Sequence, residues 1–393
     1  MTREYKIISA DSHLDLSPDR WRQRVPAKWR DHAPKVIRLA SGADAVVMEG
    51  GRTRQISVLS HGGVTREEIH KQIPTFENSA GCGTPEQRLM EQDQDGVDAE
   101  VLFSAVGNTD LLGQVKDDEA HVALVHAYNE YLAEEYASVA PDRLMPMGVI
   151  PTCGINAALA ELEYCADAGM KGVEISRFPS GKGIPTPEDD RFWAAALDLE
   201  MALTHHCGTG STRMARADEP TFDYKTLGDR LGLGDRGPDP MRGWFFRYAF
   251  EGVVAPVQMA FAGVWDRFPD LQIYWGETLI GWLPATLVQV DSNYERYKYV
   301  ARDAYGMEFP EFPLSHYIKK HSLWGFLSDP YGVETRHIPG VEHVMWGSDF
   351  AHAAGDWPES RKQIEREFAE VPEDEKYLML TGNAIRFFHL DDQ

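Results

Sequence analysis

The sequence predicts an α/β fold, a (β/α)8 barrel in which eight parallel strands each lead into a helix. From about residue 86 onward, short apolar runs alternate with amphipathic helix patterns, as expected for a parallel sheet. Three apolar runs, at the beginning, middle and end of the chain, each finish in acidic or imidazole side chains. These are Asp11 with His13, His205 with His206, and Asp349 with His352. Because such a barrel builds its active site from several strand ends, we expect these residues to meet.

The first run begins with the β-branched pair Ile7 and Ile8, which favour a buried strand. Side chains alternate between the two faces of a strand, so Asp11, His13 and Asp15 would point the same way if the strand continues through them. A carboxylate beside an imidazole is typical of a metal site. The alternative is a polar loop that follows the strand.

The remaining segments continue the alternation of strands and helices. Predicted strands cover 99–103, 144–150, 172–176, 201–205, 271–275, 322–325 and 343–346. Predicted helices cover 86–95, 118–140, 155–168, 190–199, 250–268, 282–299, 360–368 and 373–388. With the first strand, these segments predict one barrel domain that spans residues 1–393.

Two segments do not follow the barrel pattern. Residues 17–90 predict an insertion after strand 1, with a hairpin formed by 45–48 and 55–59 around a glycine turn. Residues 209–250 are rich in glycine and proline and predict a long loop after strand 5. We expect both segments to lie over the barrel mouth.

Composition excludes several classes of partner. The 393 residues include 62 acidic and 39 basic side chains, a net charge of −23, which repels nucleic acid and anionic membranes. An anionic substrate would therefore need a locally positive pocket. The four cysteines form no CxxC pair, the first residues lack a signal-peptide core, and no apolar run reaches about 18 residues. We expect a cytoplasmic protein without a membrane span.

Seven motifs follow one another in a recognisable order. They are Ser-Ala-Asp-Ser-His at 9–13, Met-Glu-Gln-Asp-Gln-Asp-Gly-Val-Asp at 90–98, His-Cys-Gly-Thr-Gly at 206–210, Phe-Pro-Asp-Leu at 268–271, Gly-Trp-Leu-Pro at 281–284, Gly-Ser-Asp-Phe-Ala-His at 347–352 and Gly-Asn-Ala at 382–384. In these motifs the sequence resembles the amidohydrolase-related family, in the branch of aminocarboxymuconate semialdehyde decarboxylase and dihydroxybenzoate decarboxylases. The resemblance spans nearly the whole chain and implies a TIM barrel and a homodimer or larger homo-oligomer.

The resemblance also implies a metal centre. By position, Asp11 and His13 correspond to the first ligands, His206 to the ligand from strand 5, and Asp349 to the ligand from strand 8. Two imidazoles and two carboxylates suit Zn²⁺, with Mn²⁺ as the alternative for an oxygen-rich set. His205 competes with His206, but only one of two adjacent strand residues can face the barrel interior. His206 is preferred because the residues that follow it match the family motif.

The chain departs from the family at strand 6. Many relatives carry a histidine there as the general acid or base, whereas this chain reads Gly-Glu-Thr at 276–278. Glu277 could carry the proton instead, or it could be a structural acid that pairs with a neighbouring group. Asp349 is the other candidate acid or base, and His352 could orient Asp349 or bind substrate.

Substrate contacts are predicted at Arg177, Arg213, Trp244 and Trp357, where guanidinium groups suit a carboxylate and indole rings suit an aromatic ligand. Each could equally be a surface or packing residue. The predicted function is a metal-dependent hydrolase or non-oxidative decarboxylase of a small cyclic or aromatic carboxylated compound. The alternative is a catalytically silent barrel that binds a ligand or partner.

Overall fold

The structure is a computed structural model of the chain. It describes residues 3–48, 53–55, 62–65, 67–104, 112–113, 115–175, 178–182, 184–206, 247–305 and 309–390. Among these residues, no helix is both long enough and apolar enough to cross a membrane.

Twelve strands are defined in the described residues. They are β1 Ile8–Leu14, β2 Lys35–Arg38, β3 Asp44–Val47, β4 Thr53–Gln55, β5 Ala99–Ser104, β6 Leu144–Pro146, β7 Gly148–Val149, β8 Gly172–Glu174, β9 Ala202–His206, β10 Ile273–Gly276, β11 Ser322–Phe326 and β12 Val344–Trp346. Pairing is parallel along β1-β5-β6 and along β7-β8-β9-β10-β11-β12. Since β6 and β7 are two halves of one strand around Met147, the barrel has the eight predicted parallel strands.

The barrel closes where the first strand meets the segment that follows the last. The amide of His13 donates to the carbonyl of Phe350 at 2.6 Å, and the amide of Asp349 donates to the carbonyl of Asp11 at 2.9 Å. These bonds join residues that lie more than 300 positions apart in the sequence. The two ends of the chain therefore form neighbouring walls of the barrel mouth.

Twelve α-helices accompany the strands in the described residues. They are α1 Pro85–Asp95, α2 Asp118–Tyr131, α3 Ile155–Asp167, α4 Asp190–Asp198, α5 Arg247–Phe261, α6 Val264–Arg267, α7 Leu283–Tyr305, α8 Leu314–His321, α9 Pro330–Glu334, α10 Ser360–Glu367, α11 Glu373–Tyr377 and α12 Asn383–Phe387. Single π-helical turns extend α2 over Leu132–Tyr136 and join α11 to α12 over Leu378–Gly382. The helix predicted at 250–268 is two helices, because Gly263 adopts a left-handed conformation between α5 and α6.

Helix α1 shows how local sequence fixes an element that bears on the site. Thr84 caps its first turn by accepting a hydrogen bond from the amide of Gln87, and Pro85 occupies the first helical position. Gly96 ends the helix with φ of 74°, a left-handed conformation that glycine adopts without strain. The capped helix presents a buried arginine, Arg88, to the first two barrel strands.

The insertion after β1 holds a small antiparallel sheet of β2, β3 and β4. The first strand of the predicted hairpin corresponds to β3, and the second, predicted at 55–59, overlaps β4 at Gln55, with 56–59 outside the described residues. β2 was not predicted, because Lys35, Ile37 and Arg38 are exposed and the strand has no buried apolar face. The amide of Gly62 donates to the carbonyl of Ala351 at 3.0 Å, so the insertion contacts the segment after β12. Of the loop predicted at 209–250, residues 209–246 lie outside the described residues. Residues 247–250 belong to α5, so that boundary was wrong.

Apolar side chains form two layers. One lies inside the barrel and includes Ile8, Ala10 and Phe103, and the other lies between the barrel and the helices and includes Leu14 and Leu102. Strand alternation accounts for this division in β5, where Phe103 faces inward and its neighbour Leu102 faces outward. The functional residues lie above the inner layer, at the carboxyl ends of the strands.

Asp329 stabilises the segment that follows β10. One carboxylate oxygen of Asp329 accepts from the amides of Ile280 and Gly281 at 2.8 and 2.7 Å, and the other accepts from Gly332 at 2.9 Å. We expect Asp329→Ala to lower the free energy of unfolding by about 2 kcal/mol, because it removes a helix cap and leaves buried amides without acceptors. Urea unfolding measures this change. Glu295→Ala, which removes an exposed acid paired with Lys298, should change the value by less than about 0.5 kcal/mol, and equal effects of both changes would contradict the prediction.

Candidate active site

Acidic and imidazole side chains meet at the carboxyl ends of four barrel strands. Asp11 and His13 lie in β1, His206 is the last residue of β9, Glu277 follows β10, and Asp349 follows β12. All five are at most 1% exposed. The predicted convergence of strand-end residues from the beginning, middle and end of the chain is therefore present in the structure.

Asp11 connects the two histidines. Its Oδ1 atom lies 3.5 Å from His13 Nε2 and 3.3 Å from His206 Nε2. The same His206 nitrogen lies 3.5 Å from Oε2 of Glu277. The imidazole rings of His13 and His206 meet edge to face with their centroids 4.6 Å apart. Their Nε2 atoms are thus turned toward shared carboxylate oxygens.

Asp349 approaches the same nitrogen of His13 as Asp11 does. Its Oδ1 atom lies 3.0 Å from His13 Nε2 and 2.9 Å from His352 Nδ1. The rings of His13 and His352 stack with centroids 3.8 Å apart. His352 therefore contacts both residues, which agrees with the predicted role of holding Asp349 in place.

A β-bulge determines which way the first two site residues face. The pairing register of β1 with β5 shifts between Ser9 and Ser12. Before the shift, Ile8 and Ala10 face the barrel interior, and strict alternation would then turn Asp11 outward. The extra residue reverses the alternation, as a bulge does, so that Asp11 and His13 face inward. The predicted shared direction holds for Asp11 and His13, whereas Asp15 lies beyond the end of β1. The bulge that produces the shared direction was not predicted.

The two adjacent histidines of β9 face opposite ways, as predicted. His206 reaches Asp11 inside the barrel, whereas the ring of His205 lies against Trp275 at 5.3 Å in the outer layer. Burial, and then the charge of His206, lower the pKa of His205 to about 4. A neutral His205 packed against tryptophan is a structural residue.

Two glycines make room for the cluster. A Cβ on Gly276 would lie 3.1 Å from the His206 ring and 3.5 Å from Asp11 Oδ2. A Cβ on Gly347 would lie 2.5 Å from Cβ of Asp11, which no packed side chain tolerates. Close approach of β1 and β12 thus requires glycine at 347, and Gly276 leaves room for the His206 ring that a Cβ would restrict.

The backbone is strained at two of the acids. Glu277 and Asp349 both have φ of 54°, a left-handed conformation that non-glycine residues rarely adopt. Such conformations persist where the surrounding structure enforces them, and they are concentrated at functional sites. The left-handed backbone conformation directs both carboxylates toward the centre of the cluster.

Burial and close charges shift the pKa values of His206, Asp349 and Asp11. Burial opposes a charged His206, but the carboxylates, with Asp11 foremost, raise its pKa to about 10. Burial also opposes the charged form of Asp349, yet the charge of His352 and the close nitrogens of His13 and His352 lower the pKa of Asp349 well below its usual range. For Asp11, burial is the largest effect and raises the pKa, with His206 offsetting it in part. Buried acids are therefore held by nearby positive charge.

The donor set fits a divalent metal. Nitrogen or oxygen atoms of Asp11, His13 and His206 lie within 4.8 Å of one another, and so do those of His13, Glu277, Asp349 and His352. Among the described residues, neither Asp11 oxygen, neither His13 nitrogen and not Oδ2 of Asp349 has a hydrogen-bond partner. Buried polar atoms without partners are costly unless something else satisfies them. A cation between the two groups would satisfy them.

Of the four predicted substrate contacts, Trp357 lies in the described part of the chain. Arg177, Arg213 and Trp244 lie outside the described residues. Trp357 is half-buried, its ring packs on Phe350 at 4.8 Å, and its indole donates to the carbonyl of Glu91 at 3.1 Å. Trp357 therefore holds the segment after β12 against α1, and its contact with substrate stays a prediction.

Sequence reasoning missed a buried polar group behind the site. Arg88 of α1 pairs with Glu100 of β5, and Ser12 donates to the same carboxylate. A charged residue inside the apolar run Ala-Glu-Val-Leu-Phe at 99–103 was the signal that could have revealed it, since an unpaired acid is not stable in a buried strand.

Comparison with known proteins places the chain in a family. Residues 11–390 match the model of the family described as amidohydrolase, and the chain belongs to that family. It is 22% identical over 317 residues to 2-amino-3-carboxymuconate-6-semialdehyde decarboxylase of Dictyostelium discoideum, a match that covers 80% of this chain and 79% of that one. The predicted family branch is confirmed, and with it the prediction of an amidohydrolase-superfamily enzyme.

Solved structures share the fold. An amidohydrolase from Mycobacterium avium subsp. paratuberculosis matches with a TM-score of 0.74 and 16% identity, over 98% of this chain and 100% of that one. A 5-carboxyvanillate decarboxylase from Novosphingobium aromaticivorans, in complex with manganese and 4-hydroxy-3-methoxy-5-nitrobenzoic acid, matches with a TM-score of 0.68 and 16% identity, over 98% and 96% of the two chains. Both support the TIM-barrel assignment.

The opposite orientations of the two β9 histidines give a direct test. We expect His206→Ala to abolish binding of a divalent ion with the fold retained, because it removes an imidazole that faces Asp11 and Glu277. His205→Ala is the matched control and should keep the metal, since that ring lies in the outer layer. The metal content of the purified proteins is measured by inductively coupled plasma mass spectrometry. Full metal occupancy in His206→Ala would contradict the assignment.

Proposed function

We propose that the chain is a metal-dependent, non-oxidative decarboxylase of a small aromatic or cyclic carboxylate. The observation that carries the proposal is the buried cluster of carboxylates and imidazoles at the carboxyl ends of the barrel strands. The proposal is supported by the family, in which the relative with 22% identity is described as a decarboxylase. A catalytically silent barrel would have no reason to keep so many buried titratable side chains in one cluster.

Asp11, His13, His206 and Asp349 are proposed to hold one divalent ion. Their mixed nitrogen and oxygen donors suit Zn²⁺ or Mn²⁺. The ion would supply positive charge for a substrate carboxylate and an adjacent oxygen. That charge is needed because the described part of the site contains several acids and its buried arginine, Arg88, is committed to Glu100.

Decarboxylation requires a proton at the carbon that loses its carboxyl group. We propose that protonated Glu277 donates it as the bond to the carboxyl carbon breaks, so that carbon dioxide leaves and the ring keeps the bonding electrons. Glu277, then a carboxylate, regains its proton from solvent. Asp349 is the alternative donor, and His352 would hold the Asp349 carboxylate through the 2.9 Å contact. The positive φ of Glu277 supports a functional role, since strain of this kind marks functional positions.

Substrate choice is proposed to reside in the long segments after β1 and β9. In this fold, loops at the carboxyl ends of the strands build the binding pocket. The contact between Gly62 and Ala351 brings the 17–90 insertion to the segment that carries Asp349 and His352. The 209–250 loop, Arg177, Arg213, Trp244 and Trp357 remain proposed substrate contacts. The homo-oligomeric state, the single-domain organisation and the cytoplasmic location also stay predictions.

A product analysis tests the reaction. Purified protein loaded with Mn²⁺ or Zn²⁺ is incubated in deuterated water with hydroxybenzoates and with matching esters and amides. The proposal predicts metal-dependent loss of carbon dioxide and one deuterium at the vacated carbon, measured by mass spectrometry. Cleavage of the esters or amides with the carboxylate retained would identify a hydrolase. Ligand binding without any turnover across the panel would identify a silent barrel.

The proposed proton carrier is tested by Glu277→Gln. We expect retained metal and substrate affinity with turnover lowered about 100-fold or more, the usual scale for loss of a general acid or base. Glu161→Gln is the control, because Glu161 is a buried acid outside the cluster that accepts a hydrogen bond from Asn129 and pairs with His126. Loss of metal in Glu277→Gln would indicate that Glu277 is a metal ligand. Normal turnover would indicate that Asp349 or His352 donates the proton.

A further inference from the structure

Three serines form a buried cluster directly behind the bulge of β1. The hydroxyl of Ser9 lies 2.9 Å from that of Ser12 and 3.1 Å from that of Ser348, and Ser12 and Ser348 lie 3.0 Å apart. Ser9 also donates to the carbonyl of Asp11 at 2.8 Å and accepts from the amide of Ser348 at 2.9 Å. The cluster therefore ties the bulged residue to the segment that carries Asp349.

A buried ion pair holds this cluster from the helix side. Ser12 donates to Oε1 of Glu100 at 2.9 Å. Arg88 grips the same carboxylate through Nε at 2.6 Å and Nη2 at 3.1 Å, and Gln92 donates to it at 2.7 Å. All four side chains are at most 2% exposed. Glu100 thus accepts hydrogen bonds from Ser12 of β1 and from Arg88 and Gln92 of α1.

Arg88 also spans the closure of the barrel. Its Nη1 donates to the carbonyl of His13 at 2.9 Å, and its Nη2 donates to that of Phe350 at 3.3 Å. The guanidinium lies 4.4 Å from the centre of the Phe350 ring. One side chain therefore touches both the segment that bears Asp11 and the segment that bears Asp349, on the face opposite the site.

A buried ion pair is not by itself a strong source of stability, because desolvation of both charges offsets their attraction. Here the pair has a geometric role, because Arg88 holds β1 and the segment after β12 in a fixed relative position. Resting on the proposed metal-dependent function, we infer that Arg88, Glu100 and Ser12 are positioning residues. They hold the β1 bulge and the 348–352 segment so that Asp11, His13 and Asp349 are pre-arranged for the divalent ion. They would act through these ligands and not by direct contact with the ion or the substrate.

The test is the affinity of metal-stripped protein for Mn²⁺, measured by isothermal titration calorimetry well below the unfolding temperature. We expect Ser12→Ala and Glu100→Gln each to weaken binding about 10- to 100-fold, the range found when groups that support metal ligands are removed. Arg336→Lys is the matched control, because Arg336 forms an equally short pair with Glu375 away from the site, 2.5 Å between Nη2 and Oε2. It should leave Mn²⁺ affinity unchanged.

The unfolding temperature of each metal-free variant separates positioning from stability. A lower unfolding temperature with unchanged Mn²⁺ affinity in Ser12→Ala and Glu100→Gln would overturn the inference and leave a purely structural role. If Glu100→Gln does not fold, Ser12→Ala decides, because it removes one hydroxyl and keeps the ion pair. Failure of the unmodified protein to bind Mn²⁺ or Zn²⁺ would instead refute the proposed function on which the inference rests.

Discussion

The site depends on one backbone junction, the closure of the barrel between β1 and the segment after β12. Two amide-to-carbonyl bonds, His13 to Phe350 and Asp349 to Asp11, bring the first and last acids of the site into contact. Gly347 lets the backbones approach, and Arg88 supports the junction from behind.

The junction also creates an electrostatic problem that explains the character of the site. It buries Asp11 and Asp349 together, with Glu277 close by, where an isolated charge would be strongly destabilised. The two imidazoles His206 and His352 relieve part of this cost, as the raised pKa of each shows once the opposing effect of burial is overcome. The carboxylate oxygens of Asp11 that have no hydrogen-bond partner among the described residues mark where further positive charge would be stabilised.

Sequence reasoning could predict whatever depends on short-range pattern. Apolar runs that end in Asp or His gave the strand-end residues Asp11, His13, His206 and Asp349, and strand alternation correctly separated His206 from His205. The bulge of β1 could not be predicted, because nothing in Ser-Ala-Asp-Ser marks where the register with β5 shifts. The Arg88–Glu100 pair was missed for a related reason, since the partners of a buried charge come from elements that only the tertiary fold brings together.

The central claim is that the two ends of the chain build one divalent metal centre. Anomalous diffraction from a crystal grown with Mn²⁺ tests it most directly. The account predicts one anomalous peak at bonding distance, about 2.0–2.3 Å, from carboxylate oxygens of Asp11 and Asp349 and from Nε2 of His13 and His206. A crystal with Mn²⁺ bound elsewhere, and with these four side chains bonded only to one another, would contradict the account.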